Sequence, residues 1–102
     1  MPNYVFAYHG GKEPESPEEG VRERAKWNAW LSDLGDAAVN PGTPMAMHKT
    51  VSSSGVSDGG GSNPMSGFSI FKADSMDAAL EMAKECPFLE MGTIVVAEAM
   101  EM

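Results

Sequence analysis

Residues 4–11 read Tyr4-Val5-Phe6-Ala7-Tyr8-His9-Gly10-Gly11, and the order of these side chains decides where the segment belongs in a fold. Successive residues of a strand point to opposite faces, so Tyr4, Phe6 and Tyr8 share one face and Val5, Ala7 and His9 the other. Apolar groups on both faces place the strand inside a sheet that is covered on both sides. The break comes at Gly10-Gly11-Lys12.

Beyond the break, Ser16-Pro17-Glu18-Glu19 opens a helix. Ser16 suits the N-cap, Pro17 the first helical position, and Glu19 completes a capping box. Both glutamates lie where the helix dipole favours negative charge. Trp27, Trp30, Leu31 and Leu34 follow i, i+3, i+4, i+7 spacing and form its buried stripe, and Gly35 ends it. Residues 38–44 contain Asn40-Pro41-Gly42 and Pro44 and read as a turn. Met45 to Val51 alternates and is expected to be the second strand. Residues 52–66 carry Gly55, Gly59-Gly60-Gly61 and Asn63-Pro64. They read as a long hairpin loop, mobile unless a partner or ligand orders it.

Gly67 to Ala73 alternates again as a third strand. Asp74 or Ser75 caps a second helix with the stripe Met76, Ala79, Leu80 and Ala83, which Pro87 ends just after Cys86. Thr93 to Met100, opening with Thr93-Ile94-Val95-Val96, is the fourth strand. The order βαββαβ specifies a ferredoxin-like α+β fold, a four-stranded antiparallel sheet with two helices on one face. The other sheet face would then expose an apolar patch too large for a soluble monomer. A homodimer whose two sheets face each other, with C₂ symmetry, removes the difficulty.

Composition narrows the possibilities. A length of 102 residues fits one domain spanning 1–102. A chain of this size buries about 65% of its unfolded surface, so a small core has to be supplemented or shared. Apolar residues make up 42% and charged residues 22%, as in ordinary globular proteins. The net charge of −8 repels phosphate backbones and anionic lipid, which argues against nucleic-acid and membrane partners. No apolar run is long enough to span a bilayer, and no leader pattern opens the chain, so a cytoplasmic location is expected. The single cysteine fits that compartment. The nine methionines are spread along the chain and read as adaptable packing rather than a metal site.

A strand ending in Tyr8-His9-Gly10-Gly11, the helix segment WNAWLSDLG at 27–35 and the block SGFSIFKADSMDAALEMAKECPFLEMGTIVVAE at 66–98 together resemble the YCII-related (DGPF-type) domains. The resemblance spans nearly the whole chain and is most specific from Gly67 to Glu98. It implies the ferredoxin-like fold assembled as a dimeric α+β barrel. That superfamily includes isomerases, a dehalogenase-type enzyme, monooxygenases and proteins without assigned activity. Related domains also stand beside sigma-factor-type transcription proteins, so the resemblance leaves a regulatory reading open. In the YCII branch a histidine on the first helix, in an R-x-x-H context, is suggested to pair with the aspartate of a D-P-F motif. Here the corresponding residues read Arg24-Ala25-Lys26-Trp27 and Cys86-Pro87-Phe88. Both members of that dyad are absent.

His9 is therefore the candidate catalytic residue, since histidine is the side chain best suited to proton transfer near neutral pH. The bland alternative is a strand-end histidine with a local hydrogen bond, beside glycines that only turn the chain. Tyr8, Gly10, Trp27 and His48 are the candidate ligand-binding residues. Trp27 stands where the family histidine would be, although a tryptophan on a helix stripe is ordinarily core. Cys86 lies at a helix C-terminus, where the dipole disfavours a thiolate, and reads as packing. The glycine run at 59–61 lacks the lysine and following helix of a phosphate loop. Neither a cofactor nor a metal is expected. The favoured reading is a homodimer that binds a small organic molecule, with isomerase- or lyase-type proton transfer through His9. The alternative is a non-catalytic regulatory or protein-interaction domain that contacts its partner through residues 52–66.

Overall fold

The computed structural model describes residues 1–11, 15–61 and 63–100. Lys12, in the expected strand break, and Ser62, in the expected long loop, lie outside the described residues. The strands are β1 (Asn3–Gly10), β2 (Ala38–Pro44), β3 (Lys49–Ser52), β4 (Gly55–Asp58), β5 (Met65–Lys72) and β6 (Gly92–Ala99). The helices are α1 (Pro17–Leu34) and α2 (Met76–Lys84), with 3₁₀ turns at Gly35–Ala37 and Pro87–Glu90. Four strands form an antiparallel sheet in the order β2-β5-β1-β6, and β3 pairs only with β4 in a separate ribbon. This is the ferredoxin-like α+β architecture that the element order implies, with β1 central.

The helix ends are set by the residues that the sequence marks for them. Ser16 Oγ accepts the Glu19 backbone N–H at 3.2 Å, and Ser75 Oγ accepts that of Ala78 at 3.2 Å. The Glu19 carboxylate reaches back to the Glu15 N–H at 3.2 Å. Gly35 closes α1 at φ 55°, a left-handed conformation that costs a glycine little.

One face of the sheet carries the core. Tyr4, Phe6 and Tyr8 on β1 and Phe71 on β5 are buried beneath Trp30 of α1 and Ala79 and Ala83 of α2. Small alanines let α2 approach the sheet, while the aromatic rings fill the volume beneath α1. Rings pack in sequence from Phe71 to Trp30 at 5.1 Å, Trp27 at 5.2 Å, Tyr8 at 5.4 Å and Phe88 at 5.0 Å between centroids. Each such pair adds about 0.5–1.5 kcal/mol beyond the area it buries. The Trp30 indole also donates to the Met82 carbonyl at 3.0 Å, tying α1 to α2.

The second strand of the sheet is Ala38–Pro44, not Met45–Val51. Asn40-Pro41-Gly42 resembles a turn because proline and glycine punctuate most turns. Here they make an irregular edge strand, where a proline leaves no ladder bond unmade. The pairing with β5 shifts register twice, between Ala38 and Asn40 and between Asn40 and Thr43. Met45–His48 has no regular structure, and Lys49–Ser52 enters the ribbon. Residues 52–66, expected to be a loop, contain the second ribbon strand, Gly55–Asp58.

The face of the sheet away from the helices is open. By register, Val5 lies opposite Ile70, and Ala7 lies between Phe68 and Val95. Val95 is 53% exposed. The molecule is a slab of 44 × 43 × 17 Å, one sheet and one helix layer deep.

Candidate functional site

A cavity of about 290 Å³ opens at the end of β1, between α1, β2, β5 and the 87–90 turn. Its lining is Tyr8, Trp27, Gly42, Thr43, Pro44, Ser66, Gly67, Phe68 and Phe88, none of them charged. The Tyr8 ring packs between Trp27 and Phe88, at the centroid distances given above.

The irregularity of β2 shapes one side of this cleft. Asn40 Oδ1 accepts the Gly42 N–H at 3.0 Å, an Asx-type turn that holds the edge strand bent. The bend presents the Pro41 carbonyl to Ser69 Oγ, which donates to it at 2.9 Å. Tyr8 Oη in turn donates to Ser69 Oγ at 2.8 Å. Ser69 is fully buried, so this relay runs from the cleft wall through the core to the strand edge. Burial drives the Tyr8 phenol well above its ordinary range, against the opposing effect of its bond to Ser69, so Tyr8 stays neutral. Gly42 leaves room for a Cβ at ordinary contact distance, 3.7 Å from Ser69 Oγ and 3.8 Å from Trp27 Cζ2.

Among the candidate residues, Tyr8 and Trp27 share the cleft. Gly10 does not line it, but its carbonyl accepts a hydrogen bond from the hydroxyl of Ser66, a lining residue. His9 follows Tyr8 on β1, so its side chain belongs to the opposite face of the strand. Its Nδ1 lies 3.0 Å from the Asn63 carbonyl oxygen. A carbonyl only accepts, so Nδ1 carries the proton and Nε2 keeps its lone pair in the neutral ring. His48 Nε2 donates to the Met65 carbonyl at 2.6 Å. The two histidines thus bond to carbonyls two residues apart, those of Asn63 and Met65, and neither lines the cleft.

Cys86 is 3% exposed, and burial pushes its thiol up to about 11. It lines a larger trough of about 750 Å³ between α1, α2 and the 87–90 turn, whose rim carries Lys26, Asp33, Lys84, Glu85 and Glu90. That trough is a furrow between helices with charged, solvated edges. No cluster of three or more metal-ligating side chains occurs among the described residues. No helix among them is long and apolar enough to cross a membrane.

Phe88, Gly42 and Thr43 are cleft residues that sequence reasoning missed. Phe88 was visible as the last residue of Cys86-Pro87-Phe88. Gly42 was visible only inside a segment that reads as a turn.

No protein-family model matches this chain. No curated protein matches it either. Among solved structures it is similar to the 5-chloro-2-hydroxyhydroquinone dehydrochlorinase (TftG) from Burkholderia phenoliruptrix AC1100, in a complex with 2,5-dihydroxybenzoquinone. The TM-score is 0.60 at 18% identity, covering 96% of this chain and 93% of that one. The fold is shared. TftG is an enzyme solved with a small ring compound bound.

Proposed function

We propose that this protein is a divergent member of the YCII-related domains that binds a small ring compound in the cleft beside Tyr8. One observation carries the reading. Where the family resemblance puts a histidine on the first helix and an aspartate before Pro87, this chain has Trp27 and Cys86. Trp27 and the adjacent Phe88 line an uncharged cavity with Tyr8 between them, while Cys86 is buried beyond it. Apolar walls with few polar groups are the usual make-up of a small-molecule site, and about 290 Å³ is at the small end of that range. Binding of a small ring compound by TftG, which has the same fold, supports the ligand class.

The test is Gly42→Leu. Its first carbon fits at ordinary contact distance, and its remaining atoms fill the cleft. Binding of 1-indanone, followed by tryptophan fluorescence and calorimetry, is expected to weaken at least tenfold with secondary structure unchanged. Equal binding by both proteins would place the ligand elsewhere.

Proton transfer by His9 is a second reading, favoured by the free lone pair that its bond to Asn63 leaves on Nε2. It belongs to the open sheet face rather than to the cleft. A turnover whose pH profile survives His9→Gln would dismiss it.

The assembly we propose is a homodimer formed through that open face. An accessible surface of 6990 Å² exceeds by about 1,400 Å² what a compact monomer of 10.8 kDa exposes. The radius of gyration is 14.9 Å, against about 13 Å for a compact chain of this length. A stable dimer needs about 800 Å² from each partner, less than this excess, to which the exposed ribbon of β3 and β4 also contributes. Light scattering is expected to give twice the chain mass. A monomer of 10.8 kDa at micromolar concentration would end the proposal.

A further inference from the structure

The walls of the cleft also specify what kind of ring compound fits. Four side chains in its lining carry hydrogen-bond donors: Tyr8, Trp27, Thr43 and Ser66. Three of those donors are already used within the protein. Tyr8 Oη donates to Ser69 Oγ at 2.8 Å, Thr43 Oγ1 to Asn40 Oδ1 at 3.3 Å, and Ser66 Oγ to the Gly10 carbonyl. The Gly42 backbone N–H is taken by Asn40 Oδ1 as well. The Trp27 indole N–H has no acceptor among the described residues. A Cβ built on Gly42 would stand 4.0 Å from Trp27 Nε1, so this donor lies within contact distance of the Gly42 wall of the cleft.

We infer that Trp27 Nε1–H is the ligand-orienting donor of the cleft, and that the ligand is a neutral planar ring compound bearing a carbonyl oxygen. This deepens the cleft assignment above and rests on it. Three observations converge. The aromatic side chains of Tyr8, Trp27 and Phe88 in the lining favour a flat apolar body. The single free side-chain donor selects a compound with an acceptor at one position. The lining contains no charged residue to pair with an ion, and the chain carries −8 overall, so a carboxylate would lose its hydration without compensation.

The experiment compares indane, 1-indanone and 1-indanecarboxylate on the full chain and on Trp27→Phe, which keeps a ring and removes the N–H. On the unmodified protein 1-indanone is expected to bind about fivefold tighter than indane, as one neutral hydrogen bond provides. The carboxylate is expected to bind weakest. Trp27→Phe is expected to bring the ketone and indane to equal affinity, the smaller ring weakening both alike, and an unchanged circular dichroism spectrum reports that the fold still forms. An NMR titration supplies a second readout without mutation. The chain has two tryptophans, and the Trp30 indole is bonded to the Met82 carbonyl. Only the Trp27 indole proton is expected to move downfield with 1-indanone. If neither indane nor 1-indanone binds, the cleft assignment itself falls. If both bind but the ketone keeps its advantage in Trp27→Phe, or the carboxylate binds tightest, only the present inference is overturned.

Discussion

Replacing Ser69 by alanine is expected to destabilise the protein more than replacing Tyr8 by phenylalanine, although both changes remove one hydroxyl. The reason lies in the direction of the relay. Tyr8 donates to Ser69, and Ser69 donates to the Pro41 carbonyl. Tyr8→Phe deletes a donor and leaves Ser69 still bonded to Pro41, so the cost is that of one neutral hydrogen bond, about 1 kcal/mol. Ser69→Ala leaves the Tyr8 hydroxyl, on a side chain 4% exposed, without its acceptor. It also frees the Pro41 carbonyl, but Pro41 is exposed and water can replace that bond. An unsatisfied buried donor adds about 1–3 kcal/mol, so Ser69→Ala is expected to cost about 2–3 kcal/mol in all. In the double variant the stranded hydroxyl is gone, and the total is expected to stay near 2 kcal/mol rather than reach the sum of the two. Urea unfolding of the four proteins at one fixed protein concentration measures this, because a dimer's stability depends on concentration. Additivity within about 0.5 kcal/mol would show that the hydroxyls do not act as a chain and would refute the reasoning.

Alkaline pH offers another test. Burial raises the Cys86 thiol to about 11 and the Tyr8 phenol beyond its ordinary range. The unfolded chain therefore loses these protons first, beginning near pH 9 for the thiol and pH 10 for the phenol. From there the folded state holds more protons than the unfolded one, so stability is expected to fall as pH rises from 9 through 11. A urea midpoint that holds steady or climbs over that range would contradict the burial argument. Gly92→Ala would drive a Cβ into the His9 carbonyl oxygen and to 2.6 Å from Phe88 Cε2. It is expected to cost about 1–3 kcal/mol as overpacking and, by displacing Phe88, to weaken 1-indanone binding. Unchanged stability in thermal unfolding would mean that the contact is not tight. Ser16→Ala removes the acceptor of the Glu19 N–H and is expected to cost about 1 kcal/mol of unfolding free energy. A loss below a few tenths would assign the cap to solvent instead.

Much of the fold is legible in the chain because local chemistry and tertiary packing agree there. Ser16, Pro17 and Gly35 bound α1 in sequence and in space, and the alternation of residues 4–9 places β1 centrally. The β2 edge is the exception. Asn40-Pro41-Gly42 obeys turn statistics locally, but pairing with β5 holds it as a bent edge strand. Met45 to Val51 has the alternation of a strand, yet pairing is settled by available partners, and its second half finds one only in Gly55–Asp58.

The candidate site divides in the same way. Tyr8 could be singled out by the strand end it belongs to, and Trp27 by its place in the sequence pattern that the chain resembles. Phe88 stood in a motif without a sign that it lines a cleft, and Gly42 stood in an apparent turn, because a cleft belongs to no segment: its walls come from β1, α1, β2, β5 and a 3₁₀ turn. The sequence by itself determined the βαββαβ order, the helix ends and the absence of the histidine–aspartate pair of the domains it resembles. Those follow from local capping, periodicity and residue identity. Only the tertiary structure decided that His9 and His48 bond to the carbonyls of Asn63 and Met65, and that the Trp27 indole N–H is left unpaired. Hydrogen bonds between distant segments are set by where the packed backbone brings donors and acceptors together, and no local pattern encodes that.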